Sequence, residues 1–586
     1  MQSNPSPRQK AIVHHPLPLI AILLLGLALR FWHLDTKPLW LDEVLTALFT
    51  MGRRFSDVPL NQFFSLAAID QLFTLQPGRS CAQIAHTVAT ESVHPPLFFC
   101  LMYQWLSWLN PDADHWIWAL RSLPALMGVG AIAAVYSLNR LAFSARAALL
   151  SAALMAVSPF AVYLSQEARH YTLPMLLITL ELIALLQIQR DLLKPDRLRP
   201  VVWIGWTGLN LLSLYVHYFC GLAVVAQIGA LAGWLIWQRQ RLSARQLGAA
   251  AFAVGGVAIG FLPWLPTFLS HIQRPETDWL IPYNPDWLDR LAPLYQTLVG
   301  WTLMFVALPV EKQPLPIAIV SGGVMLGFML WLAWQFHKSL PFLWQQVANR
   351  PPFVLLLGFI VCVIAEFLLI AYGLNKDLTV VPRYNFVYYP AVCAIVGASL
   401  AAGSVSRKPL SFVPFRSFVP LVALLMGIVS SVLVVNGFVF LKSYNPDRVA
   451  KNLRFEPIPI ALAVSYESPQ EVALGLSFVL ALRQNYPSVA NAPVQAAFLD
   501  KSAGYRQVWK TLAQLPQPLP LPLNLWVIAS PGMRSADYPR QLRLSYSTPA
   551  GKAARTRCPI DPDRYHRVGF PYQLFRCTAV DPANRS

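Results

Sequence analysis

Eleven apolar stretches along the chain have the length of roughly 17–25 residues that a helix needs to cross a membrane. Lipid offers no hydrogen bonds, so such segments must satisfy their backbone polar groups internally, as helices do. The chain is also 55% hydrophobic and 13% charged, whereas soluble domains carry roughly 25% charged residues. The sequence therefore predicts an all-α polytopic membrane domain and excludes a soluble enzyme or a disordered chain. The predicted spans are 16–32, 118–139, 147–165, 171–189, 201–217, 219–237, 247–265, 315–336, 352–373, 386–403 and 419–441.

Basic residues mark alternate connections between these spans, beginning with the N-terminal segment. These connections contain sixteen basic residues and two acidic ones, Asp191 and Asp196. An excess of Lys and Arg in short loops is typical of the cytoplasmic side. We therefore expect a cytoplasmic N-terminus and an outer C-terminal part, with a net charge of +18 that reflects topology rather than a nucleic-acid partner. The sixteen are Arg8, Lys10, Arg140, Arg146, Arg190, Lys194, Arg197, Arg199, Arg239, Arg241, Arg245, Lys338, Arg350, Arg407, Lys408 and Arg416.

The connections on the opposite side include two long loops, at about 33–117 and 266–314. The first contains apolar pieces that are too short to span, such as Leu97–Leu109. We expect these pieces to form interfacial helices on the membrane surface. Because loops carry function more often than the elements they join, the protein is expected to act on this outer side.

The character of the sequence changes at about residue 441. A membrane domain at 1–441 is expected to precede a small extracytoplasmic α/β domain at 442–586. Its predicted strands are 458–465, 494–499 and 523–528, and its predicted helices are 469–483 and 503–515. Cys558 and Cys577 lie in this domain, and a disulfide between them would fit an oxidising compartment.

Two motifs in the first outer loop contain groups that can bind protons, metals or phosphate. Asp42 and Glu43 follow the first span, where adjacent carboxylates are costly to desolvate. They can supply a general base beside a reacting hydroxyl; the alternative is a solvated pair of acids without a catalytic role. His94, which precedes Pro95 and Pro96, can bind a metal, hold a phosphate or orient Asp42; otherwise it is a turn residue.

The outer ends of two later spans add an acid and two arginines. Glu167 and Arg169 form either an interfacial salt bridge or part of a site for a metal or an acceptor. Arg383, which precedes Tyr384, either snorkels to the interface or holds a lipid phosphate. Further candidates are Arg274, Lys312 and Lys376 in outer loops, and Glu181 and Glu366 within spans, where helix–helix hydrogen bonding is the alternative.

Four short motifs follow one another in the first third of the chain. Leu-Trp-Leu-Asp-Glu at 39–43 comes after the first span, followed by His-Pro-Pro-Leu at 94–97, Ala-Leu-Arg-Ser-Leu-Pro at 119–124 and Ser-Gln-Glu-Ala-Arg-His-Tyr at 165–171. This order resembles the GT-C superfamily of membrane glycosyltransferases. It looks most like the bacterial, family-39-like relatives of protein O-mannosyltransferases and of the aminoarabinose transferase that modifies lipid A. The likeness covers about 16–190 and continues more loosely to Arg383 and Tyr384.

The resemblance implies the GT-C fold and a hexosyl- or pentosyltransferase of the cell envelope, located in the plasma (inner) membrane. Such an enzyme takes a sugar from a polyprenyl phosphate and passes it to a hydroxyl of a lipid, glycan or protein. It implies Asp42 as the general base of an inverting displacement, with Glu43 beside it. It also implies Arg383, with Tyr384, Arg169 and His94, at the donor phosphate.

The resemblance also bears on a metal. In the lipid A enzyme an acid-Lys-Pro element takes the place of His94 and its two prolines, and that acid is expected to help bind a metal. This implies His94 and Glu167 as ligands of a divalent cation such as Mg²⁺, Mn²⁺ or Zn²⁺, although the neighbouring Lys is missing here.

A polytopic transporter or flippase for lipid or polysaccharide is the alternative function. Such proteins more often show internal repeats, broken helices or charges near the midplane of the membrane. Here the acids crowd the outer loops and the inner loops are minimal, which favours a transferase.

Overall fold

The structure, a computed structural model, describes residues 16–194, 197–281, 287–403, 418–442, 444–454, 456–485, 494–515, 520–547 and 553–579. Of the charges used to predict the topology, Arg8, Lys10, Asp196, Arg407, Lys408 and Arg416 lie outside these residues.

Helices make up most of the described chain before residue 441. They are α1 Pro16–Phe31, α2 Leu41–Thr50, α3 Leu66–Leu72, α4 Cys81–Glu91, α5 Leu97–Leu109, α6 Trp116–Ala142, α7 Ala145–Ala156, α8 Pro159–Ser165, α9 Thr172–Leu192, α10 Pro200–Val216, α11 Cys220–Trp237, α12 Ala244–Phe261, α13 Leu265–Ile272, α14 Trp287–Phe305, α15 Leu315–Gln345, α16 Arg350–Gly373, α17 Tyr389–Gly403 and α18 Phe418–Val435. The helix expected at Leu97–Leu109 is α5, with the same bounds.

Each of the eleven predicted spans overlaps a helix, although residues 436–441 of the last one lie beyond the end of α18. Within the described part of the chain, seven helical segments are long and apolar enough to cross a membrane, or eight when α7 and α8, bent by 58° at a short break, are counted as one span. The other three predicted spans correspond to α1, α10 and α17, which have 16, 17 and 15 residues. The polytopic helical domain is confirmed, whereas the number of eleven spans stays a prediction.

The break between α7 and α8 frees backbone carbonyl groups in the interior of the protein, and polar side chains of other helices satisfy them. Arg30 of α1 is completely buried and donates to the carbonyl oxygens of Met155 and Ala156, both at 3.0 Å. Ser431 of α18 donates to the carbonyl oxygen of Val157 at 2.8 Å. These bonds satisfy groups that are costly to bury alone, and they fix the start of α8.

Glu181 of α9 belongs to a hydrogen-bonded network with side chains of α10 and α11. Gln227 donates to Glu181 at 2.8 Å and to Asn210 at 3.2 Å, and Trp206 donates to Gln227 at 2.7 Å. Glu181 therefore takes part in helix–helix hydrogen bonding, the alternative to a functional role for an acid within a span.

The chain divides into two compact units. The first contains Met1–Leu34, Val88–Leu101 and Arg121–Phe440, and the second contains Asp35–Thr87, Met102–Leu120 and Leu441–Ser586. The second unit thus combines a large part of the first outer loop with the C-terminal part of the chain.

Seven strands in the described part of the second unit form one sheet, in the order β1-β3-β2-β4-β7-β6-β5. The central strands β3, β2 and β4 are parallel, and the other pairs are antiparallel. The strands are β1 Phe63–Ser65, β2 Ile460–Tyr466, β3 Val494–Asp500, β4 Leu523–Ile528, β5 Gln541–Ser547, β6 Ala553–Val568 and β7 Phe570–Ala579. Three further helices are α19 Pro446–Leu453, α20 Pro469–Asn485 and α21 Tyr505–Gln514.

The α/β character predicted for the C-terminal part is confirmed. The strands predicted at 458–465, 494–499 and 523–528 are β2, β3 and β4, and the predicted helices are α20 and α21. The strands β1 and β5–β7 are not evident from the sequence pattern. A disulfide joins Cys558 of β6 to Cys577 of β7.

Candidate functional site

The site in the first unit is built around the turn between α8 and α9. Ser158 begins α8 by accepting a hydrogen bond from the backbone N–H of Ala161. Gln166, directly after α8, donates to the carbonyl oxygen of Trp32 at 2.8 Å, which ties the turn to the end of α1. The turn holds Arg169 and His170 in the interior, with exposed fractions of 4% and 1%.

Three histidine rings from distant parts of the chain meet at this turn. The ring of His170 lies 4.9 Å from that of His94, which follows α4, and 4.5 Å from that of His217, which follows α10. His94 and His217 are 6.4 Å apart between ring centroids. The segments at 94, 166–171 and 217 are all connections that the predicted topology places on the same side of the membrane.

Two arginines flank the histidines. A guanidinium nitrogen of Arg169 lies 3.3 Å from Nε2 of His94. The guanidinium carbons of Arg169 and Arg383 each lie 5.8 Å from the ring centroid of Tyr171, and that of Arg383 lies 5.9 Å from the ring of Tyr384. The structure therefore brings His94, Arg169, Arg383 and Tyr384 into one cluster, and their role at a donor phosphate, which the resemblance implies, stays a prediction.

The contacts of His94 define its protonation. A guanidinium only donates hydrogen bonds, so Nε2 of His94 accepts from Arg169 and Nδ1 carries the proton. Nδ1–H then donates to the hydroxyl of Ser92 at 3.0 Å. Burial lowers the pKa of His94 well below its usual range, and the guanidinium of Arg169 lowers it further. His94 is neutral at pH 7.

His170 is the most deeply buried of the three rings. Burial lowers its pKa well below the usual range, and His217 and Arg169 add to this effect. Neither ring nitrogen has a hydrogen-bond partner among the described residues, and buried polar groups are rarely left in that state. A ring nitrogen of His170 is therefore available to a ligand that enters the cluster.

The segment that carries His94 is held from the start of the second outer loop. His271 of α13 has Nε2 2.9 Å from the carbonyl oxygen of Ala89, and its Nδ1 lies 2.8 Å from the hydroxyl of Tyr218. Arg274 donates to the carbonyl oxygens of Ala89 at 2.9 Å and Ser92 at 2.8 Å. Arg274, a phosphate candidate from its sequence position, thus anchors the backbone beside His94.

The cluster does not fit a metal ion. Across the described residues, no group of three or more His, Cys, Asp or Glu side chains has an arrangement that could hold one. Nε2 of His94 faces a guanidinium, and Glu167, 7% exposed, lies in the turn that carries Arg169. Two permanent cations beside three neutral imidazoles favour an anion instead.

Asp42 and Glu43 belong to the second unit, in the first turn of α2. Carboxylates are favourable there because the helix dipole is positive at its N-terminus. The buried Glu43 accepts a hydrogen bond from the backbone N–H of Trp40 at 3.4 Å, whereas Asp42 is half-buried. Glu43 thus caps the helix, and Asp42 presents a more accessible carboxylate.

His170 and His217 belong to the cluster, but no sequence motif indicated a role for their side chains. Both lie at the outer end of a predicted span, in a chain with 11 histidines among 586 residues. Their position could have identified them as candidates, because both lie at span ends on the side of the membrane where the other candidate residues are expected.

The sequence and the fold are similar to those of known proteins. The dolichyl-phosphate-mannose-protein mannosyltransferase family matches residues 93–266, which include His94, Arg169, His170 and His217. ArnT from Cupriavidus metallidurans, solved with bound undecaprenyl phosphate, has a TM-score of 0.50 at 12% identity, over 95% of this chain and 97% of ArnT. The oligosaccharyltransferase of Archaeoglobus fulgidus, in complex with Zn and sulfate, has a TM-score of 0.44 at 15% identity, over 79% of this chain and 61% of that one.

A shorter match is to a subunit of the NADH-quinone oxidoreductase of Anaeromyxobacter dehalogenans (strain 2CP-C), with 32% identity over 107 residues. It covers 18% of this chain and spans a quarter of the length of that relative.

The fold is that of a polytopic membrane protein in which two arginines and three histidines cluster near the ends of its helices. The fold is similar to that of ArnT, and residues 93–266 are similar to the dolichyl-phosphate-mannose-protein mannosyltransferase family.

Proposed function

We propose that this protein is an integral-membrane glycosyltransferase that moves a sugar from a polyprenyl-phosphate donor to an acceptor hydroxyl. The observation that carries the proposal is the cluster of His94, Arg169, His170, His217 and Arg383. Guanidinium groups suit phosphate oxygens in charge and geometry. The fold shared with ArnT, which was solved with undecaprenyl phosphate, and the family match support a lipid phosphate as the ligand.

In the proposed reaction the acceptor hydroxyl attacks the anomeric carbon of the sugar while Asp42 takes its proton. The bond from the anomeric carbon to the phosphate oxygen breaks, and the phosphodiester monoanion leaves as a phosphomonoester with one more negative charge. Arg169 and Arg383 stabilise that added charge, as fixed donors do where charge develops. A single displacement inverts the anomeric configuration. Glu43 supports Asp42 by capping the helix that carries it.

We place the reaction on the extracytoplasmic side of the plasma (inner) membrane, with a cytoplasmic N-terminus. The excess of basic residues in the alternate loops supports this orientation. The donor sugar is a hexose or a pentose, and the acceptor is a lipid, a glycan or a protein of the cell envelope.

The test is a transfer assay with the purified full-length protein in lipid nanodiscs. Polyprenyl phosphates that carry labelled hexoses or pentoses are supplied with envelope lipids, glycans and proteins as acceptors. We expect labelled acceptor and free polyprenyl phosphate in equal amounts. Movement of labelled lipid across proteoliposomes without any transfer would instead support a flippase.

A further inference from the structure

The C-terminal part of the chain contacts the segment of the first outer loop that carries Asp42. Strand β1 of that loop pairs with β3, so that Phe63, Phe64 and Ser65 lie opposite residues 495–497. Phe63 is 2% exposed and is part of the hydrophobic core of the sheet. The loop therefore contributes both backbone hydrogen bonds and core packing to the C-terminal sheet.

Helix α2 and its flanking residues in the same loop also contact the C-terminal domain. Helix α2 packs against α20, and its residues from Thr46 to Thr50 are buried. At the end of α20, Gln484 donates to the carbonyl oxygen of Asp35 at 2.7 Å, and Arg483 forms an ion pair with Asp70 of α3.

A third contact lies directly in front of α2. Trp40, the residue before the helix, is 7% exposed, and Nζ of Lys442 lies 3.7 Å from the centroid of its ring. A cation over an indole ring is a stabilising contact. Gln484, Arg483 and Lys442 thus hold the chain on both sides of Asp42, which is two residues from Trp40 and seven from Asp35.

From these contacts we propose that the C-terminal sheet domain positions the helix that carries Asp42 for sugar transfer, with Lys442, Arg483 and Gln484 as positioning residues. The inference rests on the proposed function, because it takes Asp42 as the general base. A catalytic group displaced by about 1 Å loses much of its effect, so a loosened α2 reduces turnover while the phosphate cluster of the first unit still binds the donor.

The test compares the double variant Lys442→Ala/Gln484→Ala with Arg576→Ala in the full-length protein. Arg576 is a matched control because it forms ion pairs with Glu456 and Asp561 of the same domain, outside the first outer loop. We expect the double variant to lose at least ten-fold in kcat with an unchanged Kd for polyprenyl phosphate, and Arg576→Ala to keep both constants. Lys442→Arg, which keeps a cation over Trp40, should retain wild-type kcat.

Amide hydrogen exchange supplies the readout that identifies positioning. Exchange of the amides of residues 35–50 should accelerate at least ten-fold in the double variant, and that of β2–β4 should stay unchanged. Unchanged kcat, unchanged exchange of residues 35–50, or general unfolding of the sheet in the double variant would each overturn the inference. A wild-type protein that transfers no sugar would overturn the proposed function, a result that the variants cannot mimic.

Discussion

The chemistry of the first unit depends on a few side chains that bring positive charge and neutral imidazole groups together. Arg169 and Arg383 are permanently charged, whereas His94 and His170 are kept neutral by burial and by the nearby guanidinium groups. An anion that enters this cluster is favourable, because it lies beside two positive charges and permits the imidazoles to take up protons.

Replacing Arg383 by Ala should weaken the binding of polyprenyl phosphate by about 10- to 100-fold, since a hydrogen bond to a charged group contributes about 1.5–3 kcal/mol. Titration calorimetry in nanodiscs measures the affinity. Arg350→Ala is the matched control, because Arg350 likewise contacts an aromatic ring, that of Trp344, at 5.5 Å. Equal affinities of wild type and Arg383→Ala would exclude Arg383 from the phosphate site.

The lowered pKa values of His94 and His170 predict a loss of stability at acidic pH. Below about pH 6.5 the unfolded chain binds protons that the folded, ligand-free protein excludes, so the free energy of unfolding falls as the pH falls. Each imidazole contributes up to about 1.4 kcal/mol per pH unit. Thermal unfolding between pH 7.5 and pH 5.5 should show a weaker pH dependence for His170→Gln.

Exposed His337 provides the comparison for that measurement. His337→Gln is the same substitution at an exposed position outside the cluster. Bound polyprenyl phosphate should reduce the loss at pH 5.5, because an anion raises the pKa values of the histidines beside it. A pH dependence that is the same in all three proteins would show that His170 does not titrate on unfolding.

Among the elements, the bent pair of α7 and α8 matters most, because the turn after α8 carries Arg169 and His170. The break leaves backbone carbonyl groups at the end of α7 without helical partners, and Arg30 donates hydrogen bonds to them. Arg30→Lys should lower the free energy of unfolding by about 1–3 kcal/mol, since one ammonium group cannot replace two parallel N–H donors. Thermal unfolding in detergent checks this, with Arg146→Lys on the exposed face of α7 as the control.

An unchanged melting temperature in Arg30→Lys would mean that the bend is held by other contacts, such as those of Ser431.

The helices could be predicted because each apolar run is a local signal, and the alternating elements β2 to β4 were equally local. The three-residue strand β1 could not, since its partner β3 lies more than 400 positions further along the chain. The same limit applies to the site. His94, Arg169 and Arg383 have local motif signals, but only the tertiary structure shows that His170 and His217 complete their cluster.

For the molecule as a whole, the charge distribution predicts an orientation that can be measured. Cysteine substitutions at the exposed positions Gln346 and Gln507 place a thiol in a predicted inner loop and in the C-terminal domain. A membrane-impermeant thiol reagent added to intact cells should label Gln507→Cys and leave Gln346→Cys unlabelled until the cells are opened. The reverse labelling pattern would place the C-terminal domain in the cytoplasm and contradict the predicted topology.

The central claim is that Asp42 is the base of a sugar transfer, and the rate of a single turnover with bound donor tests it most directly. We expect Asp42→Asn to lower that rate by about 10²–10⁴-fold, with unchanged affinity for polyprenyl phosphate. Asp57→Asn, which alters an acid of the same loop that accepts from the backbone N–H of Arg54, should keep the wild-type rate. A full transfer rate in Asp42→Asn would contradict the account.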